Sequence, residues 1–295
     1  MTPEPALVAD VPCETGENPL WHPGEKRLYW CDIPRGDLYA YDPAAEEHER
    51  VFTADGRIGG FTCQEDGSLL LFGDAGSVDR YDDGRVDRVV RSDPDRFDER
   101  FNDVIADPAG RVFCGVMPDP EEGISGSLYR LDRDRTFTRT IDDIDLPNGM
   151  DFTADREALY VTDTCQHNDM PGRIDRYDYD ESTGAISNPE LVVEPDGLDG
   201  LPDGMTLDAE EHLWSAFWGG SVLVRYAPDG TRERIVEFGP EKVSSIAFGG
   251  TDYGDAYVTT AGGDDRATED GTAGSLFQAD LGVDSREEFR SAIDV

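Results

Sequence analysis

Four polar residues of this chain fall at matching places in stretches that resemble one another. Glu17, Asn102, Asn148 and Asp203 lie in GENPLW, RFNDVIADPAG, PNGMDFTAD and PDGMTLDAE, each just ahead of an apolar run. Two carboxylates and two amides offer only oxygen, the donor preferred by hard cations such as Ca²⁺, Mg²⁺ and Mn²⁺. Asn or Asp before Gly is more often a turn former than a ligand. The shared register across distant repeats is what makes these four a candidate site. Glu17, Asn148 and Asp203 are read as the core metal ligands, and Asn102 as a further ligand or a substrate contact.

Residues so far apart need a scaffold that gathers them. A unit of about 40 to 55 residues recurs six times, and such a period marks repeat architectures. Each unit opens with an apolar strand and passes a turn of the type D-x-x-G. A second strand such as RLYW or RVF follows, and after a loop come strands such as GSLYRL or VLVRY. Alternating apolar residues between Gly, Asp and Pro clusters indicate half-buried strands. The expected fold is all-β, a six-bladed β-propeller in a single domain over 1–295. Residues 6–11 are expected to close the last blade, and a short C-terminal tail remains. Only SREEFRSAIDV, at the end, reads as an amphipathic helix. Ring geometry places the repeat starts at one face of the central channel, with Gly60 and Ser245 at the equivalent positions of units two and six. Their small size is expected to leave room for a ligand.

Composition narrows the function. Sixty-five acidic against 26 basic residues give a net charge of −39, yet 13 Phe, 11 Tyr and 4 Trp recur within the strand-like runs, so the chain folds. Only Lys26 and Lys242 are lysines, and the pattern fits adaptation to high salt, where a Debye length of about 3 Å at 1 M suppresses self-repulsion. Nucleic-acid and anionic-membrane partners are not expected. Five cysteines without C-x-x-C spacing, and no apolar run of membrane-spanning length, suggest a reduced, cytoplasmic protein. His22, His48 and His212 are expected to be solvated, while His167 lies in a loop that should rise beside the site.

GENPLW, DIPRGDLYAYD, RFNDVIADPAGRVFCGVM, PNGMDFTAD and LPDGMTLDAEEHLW resemble the gluconolactonase family that includes senescence marker proteins, over nearly the whole chain. The resemblance implies a six-bladed propeller with one divalent cation (Ca²⁺, Mg²⁺, Mn²⁺ or Zn²⁺) on Glu17, Asn148 and Asp203. It further implies substrate contacts from Arg100 and Asn102, and proton transfer by Asp203. GVMPDPEEGISG departs from the family where relatives offer a substrate-binding glutamate, so neither Glu121 nor Glu122 takes that role. Arg35, Met117, His167 and Trp218 are expected to shape the pocket rim. The expected activity is metal-dependent hydrolysis of a small-molecule sugar lactone to its aldonic acid. The alternatives are phosphotriester hydrolysis and a non-catalytic, calcium-binding propeller.

Overall fold

Strand runs that are apolar on both faces can be buried only between other sheets, and this chain stacks six of them around an axis. The computed structural model describes residues 4–97, 99–118, 125–165, 171–263, 266–268 and 271–295. It is a six-bladed β-propeller of four-stranded antiparallel sheets. The innermost strands, in order, are Gly16–His22, Gly60–Cys63, Phe101–Ala106, Pro147–Phe152, Leu201–Leu207 and Val243–Gly249. The innermost strands of blades three and four are buried along their whole length, whereas the outermost strand of blade one, Glu47–Thr53, is largely exposed. That gradient explains why apolar residues crowd the start of each repeat and charges its end.

Blade six takes its outermost strand from the other end of the chain. Ala6–Ala9 pairs antiparallel with Leu276–Asp280, matching Ala6 to Gln278. Behind it, Ala9, Trp21, Trp30, Tyr41 and Tyr257 form the core between blades six and one, with Trp21 stacked on Tyr257 at 6.1 Å. Closure ties the two ends of the chain into one blade, and only the outer strand of each blade keeps a free edge.

The C-terminal segment is not a helix. Residues 285–295 run extended across the loops opposite the repeat starts, with a parallel bridge from Ser291 to Gln64. Their backbone groups bond to distant turns: Ser285 N to Tyr253 O, Ser291 N to Cys63 O and Ala292 N to Gly110 O, at 2.8–2.9 Å. These external partners replace the i→i−4 bonds a helix would need.

His22 is buried rather than solvated. Its Nε2 lies 2.8 Å from Gly67 O and its Nδ1 accepts from Glu25 N, which ties blade one to the first hairpin of blade two. His48 is exposed and His212 half-buried. All five cysteines are buried and unpaired. No helix among the described residues is long and apolar enough to cross a membrane.

Most of the negative charge lies on outer strands and turns. Reducing salt from about 2 M to 0.1 M lengthens the screening distance to about 10 Å and should lower the melting temperature by at least about 10 °C. Thermal melts by circular dichroism across a KCl series check this; a melting point that is flat in salt contradicts it.

Candidate active site

The four repeat-start residues meet at one end of the channel. Glu17, Asn102, Asn148 and Asp203 are all buried and line one cavity of about 220 Å³, together with Arg100. Each stands where the ladder to the neighbouring strand slips. Register shifts lie between Glu17 and Leu20, Phe101 and Val104, Pro147 and Met150, and Pro202 and Met205. A bulge of this kind re-aims a side chain that regular pleating would send elsewhere. Blade two has no such slip, running in register from Gly60 to Cys63, and it contributes none of these four residues.

Glycines after the site residues let the inner strands approach closely. A Cβ on Gly149 would lie 2.3 Å from Met205 N and 2.7 Å from Asp203 O, and one on Gly204 would strike the Ser245 hydroxyl. Gly149→Ala should therefore destabilise the protein by about 1–3 kcal/mol and push the Asp203 backbone outward. Denaturant titration checks the first effect and loss of turnover in the folded fraction the second. The space at Gly60 and Ser245 is not ligand space. Gly60 is filled by Asn18 Oδ1 and the Asn102 carbonyl, and Ser245 packs on Gly204 and faces a separate axial cavity below the floor. The expectation that their small size leaves room for a ligand is corrected accordingly.

A hydrogen-bond chain along the cavity lining joins three blades. Arg100 Nη1 donates to Asn102 Oδ1 at 2.8 Å and to Phe101 O at 2.8 Å. Asn102 Nδ2 donates to Pro147 O at 3.0 Å and to Asn148 Oδ1 at 3.3 Å. Asn148 Nδ2 donates to Thr164 Oγ1, which donates in turn to Pro202 O. The loops feeding the floor are held by buried aspartates. Asp32 accepts from the backbone of Glu14 and Thr15, and Asp163 from that of Leu146 and Cys165.

The electrostatics are unbalanced. Burial pushes the Glu17 carboxyl well above its ordinary range, and the charges of Asp203 and Asp103 push it further. Burial and Asp103 do the same to Asp203. Asp103 itself is raised to about 7 by burial. Buried carboxylates this close are costly unless a cation or protons offset them. Glu17, Asn148 and Asp203 supply oxygen alone, and no His or Cys among the described residues lines the cavity. The donor set therefore fits a hard divalent cation better than a zinc site.

Of the expected rim residues, Met117 and Trp218 line the cavity. Arg35 does not. It braces the loop before blade one, donating to Pro12 O and Asp32 Oδ2. His167, Glu121 and Glu122 lie outside the described residues. Sequence reasoning missed Asp103, Thr164 and the apolar Ile33, Leu146 and Leu201. Thr164 was signalled by TDT, the counterpart of the CDI that ends the second strand of blade one. Asp103 was hidden by its place next to Asn102, because strict alternation would send neighbours to opposite faces.

Residues 15–262 match the family model described as SMP-30/Gluconolactonase/LRE-like region. The chain is 48% identical to a protein named Pentonolactonase XacC from Haloferax volcanii, over 97% of both chains. It is 33% identical to regucalcin from Xenopus laevis over 83% of both. Among solved structures it superposes on a calcium-binding regucalcin from Agrobacterium tumefaciens with a TM-score of 0.87, at 24% identity and 97% coverage of both chains.

Proposed function

Because the chain belongs to the SMP-30/gluconolactonase/LRE-like family, we propose that it is a hydrolase that opens a sugar lactone to its aldonic acid, with pentonolactones as the preferred substrates. The observation that carries this reading is the meeting of Glu17, Asn102, Asn148 and Asp203, from four blades, on the floor of one small cavity. The 48% identical pentonolactonase supports the choice of substrate, and its Haloferax source fits the acidic surface. Buried, unpaired thiols support a reducing, cytoplasmic setting.

Glu17, Asn148 and Asp203 would hold one divalent cation, with Ca²⁺, Mg²⁺ and Mn²⁺ favoured by the oxygen donors. Bound there, such an ion supplies Lewis acidity toward the lactone carbonyl and toward water. Asp203 accepts the proton of the attacking water and returns it to the ring oxygen as the C–O bond breaks. Burial raises the basicity of this carboxylate, which offsets the depression that a neighbouring cation causes. Arg100 turns its remaining N–H groups toward the substrate hydroxyls, and Asn102 fixes Arg100 and Asn148 through both ends of its amide.

Hydrolysis of pentono- and hexonolactones in a pH-stat, with chelated and reconstituted protein, tests the proposal. Ion-dependent acid release, fastest on a pentonolactone, is expected. No release above background with any divalent ion would leave the non-catalytic calcium-binding reading. The apolar residues above the floor give phosphotriesters some support as a second class, and faster turnover of a fluorophosphate than of any lactone would establish it.

A further inference from the structure

We propose that the same site also opens small γ-lactones that carry an alkyl group in place of sugar hydroxyls. This rests on the lactonase reading and concerns what the walls of the cavity can recognise. Above the polar floor, the described walls are an apolar collar of Ile33, Met117, Leu146, Leu201 and Trp218, contributed by blades one, three, four and five. Ile33 and Leu146 are buried, and the other three are half-buried at the mouth. The Trp218 indole is steadied by Lys242, whose Nζ lies 5.7 Å from the ring centre.

Among the described residues, the polar side chains that line the cavity beside this collar, apart from the floor, are Thr15, Arg100 and Thr164. The Thr164 hydroxyl is spent on Pro202 O and Asn148. Arg100 gives one nitrogen to Phe101 O and Asn102. The rest of that guanidinium and the Thr15 hydroxyl are what the described walls offer to ring hydroxyls. A pocket built around substrate hydroxyls rejects an analogue lacking them by roughly 10⁴-fold or more, because its own polar groups are left unpaired. An apolar wall leaves nothing unpaired, and discriminates by only about 10- to 200-fold. The alkyl lactone therefore forfeits little and gains contact with Trp218 and Leu201.

The chemistry is unchanged. Water oxygen bonds to the carbonyl carbon, the ring C–O bond breaks, and the proton from water passes through Asp203 to the leaving oxygen. γ-Valerolactone gives 4-hydroxypentanoate and one released proton, which a pH-stat reads.

The experiment compares γ-valerolactone with a pentono-1,4-lactone on the reconstituted protein and on Trp218→Ala. The expected result is a kcat/KM for γ-valerolactone within about 100-fold of that for the sugar lactone. Trp218→Ala should raise KM for γ-valerolactone about tenfold more than KM for the pentonolactone, whose turnover also reports that the variant is folded. Rapid opening of the pentonolactone with γ-valerolactone at least about 10⁴-fold slower, or acting only as an inhibitor, overturns the inference and leaves the proposed function standing. Equal effects of Trp218→Ala on both substrates also overturn it. If neither lactone is opened, the function itself is wrong.

Discussion

Asparagine in place of Asp203 is expected to lower kcat/KM for a sugar lactone by at least about 10³-fold, while the metal-free protein becomes more stable at neutral pH. The two effects have one cause. Asp203, Glu17 and Asp103 are buried side by side, and burial first, then mutual repulsion, holds Glu17 and Asp203 in the protonated form to higher pH than in the unfolded chain. The sign follows from linkage. A carboxyl whose folded pKa is raised binds more protons in the folded state, so stability falls as pH rises from the unfolded value near 4 toward the folded one. For Asp103 that window closes at about 7. The chelated wild type should thus lose stability between roughly pH 4 and 7, and the loss should flatten when a divalent ion is added. Removing the Asp203 charge relieves part of the same repulsion and removes the proposed proton acceptor. Melting curves with and without chelator, alongside single-substrate kinetics, check both halves. Full turnover by Asp203→Asn contradicts the assignment, and a lower metal-free melting point contradicts the electrostatic account.

Ending the chain at Asp284 is expected to lower the melting temperature by at least about 10 °C, or to prevent folding outside high salt. The last eleven residues bind five blades, at strand ends and turns on the face opposite the cavity. Ser285 N bonds to Tyr253 O in blade six, and Ser285 Oγ to Leu207 O in blade five. Arg286 reaches Asp151 in blade four, Asp294 N bonds to Arg133 O in blade three, and Ser291 N bonds to Cys63 O in blade two. Ile293 is buried in the core between blades two and three and exchanges two hydrogen bonds of 3.0 Å with the Gln64 amide. At about 1 kcal/mol net for each bond, their loss rivals the 5–15 kcal/mol that separates folded from unfolded domains. Circular-dichroism melts of the truncated and full chains in 2 M KCl decide it; coincident curves would show the strap to be ornamental.

The floor of the site was legible because repetition carries phase information. PNGMDF and PDGMTL place Asn148 and Asp203 at the same step of adjacent blades, and GENPLW and RFNDVI extend that register to Glu17 and Asn102. The strands were legible for an ordinary reason, since two-sided burial demands the unbroken apolar runs that blades three and four show. What escaped depended on contacts between residues far apart in the chain. SREEFRSAI has a helical spacing of apolar and charged residues, but nothing local reveals that Tyr253, Cys63 and Gly110 will take up its backbone groups. His22 reads as solvated because its partner, Gly67, lies 45 positions away in the chain. Gly60 and Ser245 were in the right register, yet their neighbours, rather than a ligand, fill the space they leave. Bulges are equally silent in sequence, and they decide that Asn102 faces the cavity while Asp103 faces the axis below it.

The most direct test is a titration of the fully chelated protein with Mn²⁺, in which bound ion and lactone opening are measured on the same samples. Turnover should be absent at the start, rise in step with binding and level off at one ion per chain, and Glu17→Gln should lose both together. Lactone opening that survives complete chelation, or a Glu17→Gln protein that still binds one ion and works at full rate, would contradict a cation held among Glu17, Asn148 and Asp203.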